Sequence, residues 1–283
     1  MHPRSLLFVP GDRPERMGKA AASGADAVIL DLEDSVAAGR KAFARQAIRE
    51  FLANQAAAEV DLIVRINPLD SIDCRPDLDL VNDGQLAAVM LPKSAGSASV
   101  IELLHMLRAD VPVLPIAAET PESIFSLGSY ATVANHLYGI TWGAEDLAAS
   151  VGAATSRTSD GRLLSPLETA RNLTLFAARA AGTAAIETVY ANVHDLEGLA
   201  IAASRAAREG FTGMMAIHPS QVHTINAALS PTDVQLVEAE DIVRLFAKDP
   251  GAGVVMRNGK MVDRPHLKHA QTVVARAGRI RSR

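Results

Sequence analysis

Short apolar runs bounded by turn residues alternate along the chain with longer, alanine-rich segments whose apolar positions recur at helical spacing. The alternation predicts βα units around a parallel sheet, because a strand covered on both faces needs an unbroken apolar run rather than a period of two. Eight such runs can be read, at residues 6–9, 27–31, 62–66, 88–91, 113–117, 137–141, 184–187 and 213–217. Helix entries between them are marked by Asp12 ahead of Pro14 and Glu15, and by Ser165-Pro166-Leu167-Glu168. Eight units from end to end favour a single closed (β/α)8 TIM barrel, whereas seven units and one misread run would fit an open doubly wound sheet. After about residue 229 the texture changes. Residues 231–248 read as an amphipathic helix, Asn258-Gly259 between two apolar pairs reads as a hairpin turn, and residues 264–276 read as helical again. The predicted division is therefore a barrel over 1–229 and a C-terminal helical and hairpin extension over 230–283. A barrel has no need of that extension, which leaves it as a packing arm, an oligomer contact or a lid.

Composition narrows the function classes. A chain of 283 residues that is 48% hydrophobic can build one large core without staples. The single Cys74 excludes an internal disulfide, and no Cys/His cluster is present for zinc. The formal net charge of −4 is spread along the chain and only 4% of residues are aromatic, so nucleic acid is not an expected partner. The N-terminal apolar run ends at Pro10-Gly11, too short for a signal or a membrane span, and the expected setting is cytoplasmic.

In such barrels the reacting groups sit at the C-terminal ends of the strands. Those ends carry Asp12, Asp31-Leu32-Glu33-Asp34, Arg65-Ile66-Asn67, Lys93, Glu119, Gly143-Ala144-Glu145-Asp146 and His218. Carboxylates gathered at one mouth repel each other unless a cation neutralises them or bases such as Arg65 and Lys93 pair with them. Without His or Cys ligands the ion would be hard and oxygen-loving, Mg2+ or Mn2+, and Glu119 and Asp146 lie on consecutive strand ends. Each has a plainer reading as well: Glu119 could decorate a helix N-terminus, and Asp146 could be an N-cap. Asp31, Glu33 and Asp34 cannot all face one ion, because alternate residues of an extended segment point opposite ways. Some of them would instead orient Arg65 or Lys93. Arg65 is suited to a substrate carboxylate. His218 before Pro219 reads better as a helix-entry histidine than as a base.

These segments resemble the citrate lyase beta-subunit and malyl-CoA lyase family, acyl-CoA lyases grouped with the metal-dependent pyruvate-type aldolases. The resemblance runs in order through Arg4-Ser5-Leu6-Leu7-Phe8-Val9-Pro10-Gly11, Asp31-Leu32-Glu33-Asp34-Ser35-Val36, Val64-Arg65-Ile66-Asn67, Leu91-Pro92-Lys93, Glu119-Thr120, Gly143-Ala144-Glu145-Asp146-Leu147 and Ile217-His218-Pro219-Ser220-Gln221-Val222. It implies a TIM barrel assembled as a homotrimer or hexamer, with Mg2+ on Glu119 and Asp146 and the oxo-acid carboxylate on Arg65. The implied substrates are 3-hydroxyacyl-CoA thioesters such as citryl-, malyl- or citramalyl-CoA, cleaved to an acyl-CoA and an oxo acid. Arg13, Arg16 and Lys19 of the first helix, with Lys41, stand where the family meets the CoA phosphates. Met261-Val262-Asp263-Arg264-Pro265 looks like the family's C-terminal lid, which implies Asp263 as an acid/base acting in a neighbouring subunit.

Two positions depart from the family: Glu187, where Asp is common, and Met214, where Lys is common. The departures are expected to alter selectivity for the acid or the acyl-CoA. Three alternatives accompany the lyase reading: hydrolysis of the same thioester, aldol chemistry on free oxo acids, and a non-catalytic oxo-acid- or CoA-binding member of the family. Partner subunits of a citrate lyase complex, with an acyl carrier in place of CoA, are a further possibility.

Overall fold

Runs such as Ala-Val-Ile-Leu-Asp pair in parallel because both of their faces can be covered, by one another inside and by helices outside. In the structure, a computed structural model describing residues 3–54 and 60–281, the strands are β1 (Ser5–Pro10), β2 (Ala27–Asp31), β3 (Asp61–Arg65), β4 (Ala88–Leu91), β5 (Val113–Pro115), β6 (Ile186–Glu187) and β7 (Gly213–Ala216). They form a parallel sheet in the order β5-β4-β3-β2-β1-β7-β6. Helices α1 (Pro14–Ala21), α2 (Lys41–Asn54), α3 (Cys74–Asp83), α4 (Ser97–Met106), α5 (Pro121–Ile124), α6 (Ala144–Ser150), α7 (Ser165–Ala180), α8 (Leu196–Glu209) and α9 (Pro219–Leu229) follow the strands in turn. Alternation sorts the side chains: Leu6, Ala27, Ile29, Ile63, Met90, Leu114, Ile186 and Met215 meet in one interior cluster. Their neighbours Leu7, Val28, Leu30, Val64 and Val89 are buried on the opposite face.

The expected closed barrel of eight regular strands is corrected to seven. Residues 137–141 make only isolated parallel bridges, Leu137 with Val113, Thr141 with Ile116, and Ile140 with Ala185. The pairing offset with β5 changes from 24 to 25 residues between the first two bridges. A one-residue slip of that kind interrupts a ladder as a bulge does. Gly139 lies at the slip, where a Cβ would come 3.0 Å from Ile186 and 3.1 Å from Ala184. The segment lies against both edges of the sheet without becoming a strand of it.

The chain divides into two compact units, Met1–Asn226 and Ala227–Arg283. Within the second, α10 (Asp233–Lys248) opens on a capping box in which Thr232 and Gln235 each bond the other's backbone N–H. The antiparallel hairpin of β8 (Val254–Arg257) and β9 (Lys260–Asp263) turns at Asn258 and Gly259, both at positive φ, 50° and 74°. Such angles define a type I′ turn, which Asn-Gly favours. The last helix is α11 (Arg264–Arg281). Among the described residues no helix is long and apolar enough to cross a membrane.

Candidate active site

Strand register puts four residues in line at the C-terminal edge of the sheet: Pro10 beside Asp31, Asp31 beside Arg65, and Arg65 beside Met90. Asp31 and Arg65 fall on the same alternation as Ile29 and Ile63, so their side chains enter the mouth of the interior. The Asp31 carboxylate accepts from Arg65 Nε at 2.6 Å and Nη2 at 2.7 Å, from the N–H groups of Glu33 and Ser35, and from the Ser35 hydroxyl. Burial pushes the Asp31 carboxyl up, but the Arg65 bonds and charge outweigh it and the net direction is down. Glu33 is also buried. Its Oε1 accepts from Lys93 Nζ at 3.0 Å, while Oε2 lies 2.8 Å from Arg65 Nη1 without accepting a hydrogen bond. Burial raises the Glu33 carboxyl, against the pull of Arg65. Asp34 is largely exposed and 3.7 Å from Arg65. The three acids thus divide: Asp31 fixes the arginine fork, Glu33 bridges Arg65 and Lys93, and Asp34 stays at the rim.

Lys93 has φ of 51°, an angle that non-glycine residues seldom adopt and that marks a constrained site. The turn directs its backbone N–H to Glu119 Oε2 at 2.5 Å. Glu119 is 3% exposed, and Gly143 packs flat on its carboxylate, since a Cβ there would meet Glu119 Cγ at 2.7 Å and Oε1 at 2.8 Å. Burial pushes the Glu119 carboxyl up to about 8; the Lys93 N–H opposes the rise, and the charges of Asp146 and Glu33 add to it. The helix-decorating reading of Glu119 falls to its neighbours, for Thr120 caps α5 and Glu122 is the acid of its first turn. The N-cap of α6 is Gly143, which leaves Asp146 inside the first turn and half-buried.

This donor set fits Mg2+. Two carboxylates, one of them buried and destabilised as an anion, suit a hard cation that keeps waters or substrate oxygens in its other positions. Among the described residues no group of three or more His, Cys, Asp or Glu forms a protein-only cage.

Other expected residues lie elsewhere. Arg13, Arg16 and Lys19 are exposed at and on α1, where Arg13 faces Asp12 at 3.7 Å and Arg16 faces Glu15 at 3.9 Å. Lys41, expected beside CoA phosphates, is engaged within the protein. Its three ammonium donors reach Leu32 O, Glu33 O and Asn67 Oδ1 at 2.8, 3.1 and 2.6 Å, so it braces the loop after β2. Asn67 in turn donates to buried Asp77, which also holds Arg45, a support that no single motif announced. Asp263 ends β9 in the second unit, where the His266 ring and N–H bond its carboxylate. The His266 bond holds that carboxyl below its ordinary range. The i, i+3 spacing of Asp263 and His266 at the start of α11 is what lets them pair. His218 bonds Ser220 at the entry to α9. Glu187 and Met214 are Cα partners that alternate with interior Ile186 and Met215, so they point outward. Neither side chain faces the mouth; both line a cleft on the outer side of the sheet with Arg171, Tyr190 and Arg205.

Residues 4–219 match the HpcH/HpaI aldolase/citrate lyase family, and residues 168–279 match a family of C–C bond lyases of the TIM-barrel fold. A citrate lyase subunit beta-like protein of Mycobacterium tuberculosis is 39% identical over 96% of this chain and 94% of its own. A (3S)-malyl-CoA thioesterase of Cereibacter sphaeroides is 34% identical over 98% of this chain and 95% of its own. The crystal structure of CitE from M. tuberculosis in complex with magnesium, acetoacetate and coenzyme A aligns with a TM-score of 0.83 at 38% identity, covering 98% of both chains.

Proposed function

Because this chain belongs to the HpcH/HpaI aldolase/citrate lyase family, we propose that it is a Mg2+-dependent carbon–carbon lyase that cleaves or forms a 3-hydroxyacyl-CoA thioester. Its products are an acyl-CoA and an oxo acid, with citryl-, malyl- and citramalyl-CoA as the substrate class. The observation that carries this reading is the buried Glu119 carboxylate, seated on Gly143 within the field of Asp146 and beside the Arg65 cluster. The solved CitE complex with magnesium, acetoacetate and coenzyme A supports it.

Glu119 and Asp146 would hold the ion, which supplies Lewis-acid polarisation of an oxo-acid oxygen. The chain's own groups do the rest. Arg65, locked by Asp31, presents a preorganised cation to the substrate carboxylate, with Glu33 and Lys93 fixing its setting. Asp263, kept ionised by His266, is suited to take the substrate hydroxyl proton during cleavage. In the condensing direction it takes a proton from the acyl-CoA carbon instead. Arg13, Arg16 and Lys19 provide exposed cations for the CoA phosphates. The C-terminal unit serves as a lid in a homotrimer or hexamer, completing a neighbour's site with Asp263.

The test is a screen of the purified protein with Mg2+ against the three thioesters, scoring acyl-CoA and free acid separately. Lyase activity gives acetyl- or propionyl-CoA with an oxo acid. Free hydroxy acid and CoA without oxo acid would establish hydrolysis instead, the second reading favoured by the likeness to a (3S)-malyl-CoA thioesterase. Asp263→Asn should reduce turnover by ~10²-fold or more, as loss of a general base does, and turnover within about threefold of wild type would remove Asp263 from the reaction.

A further inference from the structure

Glu187 ends β6 on the outward face, yet it is 5% exposed and holds three partners. Its Oε1 accepts from the indole Nε1 of Trp142 at 2.7 Å and from the Thr188 N–H at 2.9 Å, and its Oε2 accepts from Arg171 Nε at 2.5 Å. Arg171, on α7, is itself fixed by Glu209 and by the face of Phe211, whose centroid lies 4.6 Å away. Trp142 is fully buried and packs with Ala118, Ala144 and Leu147. All three lie within two residues of the carboxylates assigned to the metal: Ala118 precedes Glu119, Leu147 follows Asp146, and Ala144 stands two residues before it.

The backbone tightens the link. Ala117 N–H donates to Thr141 O at 2.8 Å and Gly143 N–H to Ala118 O at 3.3 Å, so Trp142 lies between two bonds to the strand end that carries Glu119. Gly143, the next residue, is the seat of the Glu119 carboxylate. On the other side, Thr188 Oγ1 accepts from the Ala144 N–H at the start of α6. A swing of the indole would therefore displace the seat of Glu119 and the first turn that bears Asp146 together.

We propose that Glu187 is a positioning residue for the Mg2+ site, acting through the indole of Trp142 to set the spacing of Glu119 and Asp146. The inference rests on the reading of those two carboxylates as the metal ligands. A buried carboxylate–arginine pair contributes little net stability compared with an apolar replacement of the same shape. What it fixes is geometry, and here the geometry converges on one ion. Groups that orient the surroundings of a metal ligand tune its affinity for the ion, and Glu187 does so at one further remove, through Trp142.

The test uses the full-length protein and two variants. Glu187→Gln keeps the shape and an acceptor for the indole but loses the Arg171 ion pair, and Trp142→Phe keeps a buried ring but loses the N–H. Mg2+ dissociation constants are measured by calorimetry, alongside the Mg2+ activation constant and the KM for the acyl-CoA. Trp142 is the only tryptophan of the chain, so its emission during Mg2+ titration of wild type and Glu187→Gln reports on the site directly. Both variants should bind Mg2+ about tenfold or more weakly, with the activation constant rising in step and the KM for the acyl-CoA unchanged. Variants that lose thermal stability yet bind Mg2+ within about twofold of wild type would overturn the proposal and leave the ligand assignment standing. Failure of the wild type itself to bind Mg2+ would overturn the ligand assignment and this proposal with it. Should Glu187→Gln fail to fold, Trp142→Phe decides alone.

Discussion

Two residues show most directly how local chemistry sets the site. Gly143 has no side chain because Glu119 occupies the space where one would go, at 2.7 Å from the missing Cβ. Gly143→Ala should therefore push the carboxylate out of place, weakening Mg2+ binding about tenfold or more by calorimetry. The overpacking should cost only ~1–3 kcal/mol of stability. Asp31 makes a different kind of prediction. It is 1% exposed and answers two Arg65 donors, so Asp31→Asn removes the bidentate partner of a buried guanidinium, leaving it Glu33 at 2.8 Å, and should cost about 1.5–3 kcal/mol in urea unfolding. The sign with pH follows from linkage. The folded-state pKa of Asp31 lies below the ordinary 3.8, so its contribution is present above that value and is lost as pH falls through the lowered one. The advantage of wild type over Asp31→Asn should accordingly be constant near neutrality and shrink only below about pH 4.

At the scale of elements, the apolar runs were legible because a two-sided strand has little room for a polar residue except at its ends. β2 and β4 lie at the residues their runs marked, and β1, β3 and β7 within a residue at each end. Residues 137–141 look no different in composition, but the register slip beside Gly139 is a property of the partners and not of the run. The same limit applied to the site. Charged strand ends announced Asp31, Arg65, Lys93 and Glu119, whereas Lys41 turned inward because Leu32 O, Glu33 O and Asn67 surround its ammonium. The bond from the Lys93 backbone to Glu119 and the Trp142–Glu187–Arg171 chain join segments distant in sequence, and no local pattern encodes them. Where chemistry is local, prediction is direct: Thr232 and Gln235 cap α10 reciprocally, and Thr232→Ala should lower stability by about 1 kcal/mol in chemical denaturation.

For the whole molecule, the proposed division of labour between Glu119 in one copy and Asp263 in its neighbour can be tested without a further structure. Glu119→Gln and Asp263→Asn proteins, each inactive alone, should regain activity when dissociated and reassembled together. Random mixing in a ring of subunits leaves about a quarter of the sites with both groups intact, so recovery near that fraction is the expected result and none would place both groups in the same chain. The irregular segment at residues 137–141 has a consequence at this scale too. Its few bridges leave Leu137, Ile140 and Thr141 held by isolated bonds on either side, while β1 to β4 share continuous ladders. Glu119 follows the strand on one side of that segment, and Asp146 is carried by the segment's own continuation into α6. An ion gripped by both would act as a clasp, linking two stretches of chain that the backbone joins only loosely. Amide hydrogens of Tyr138, Ile140 and Thr141 should then exchange faster than those of β2 in metal-free protein and slow selectively when Mg2+ is added.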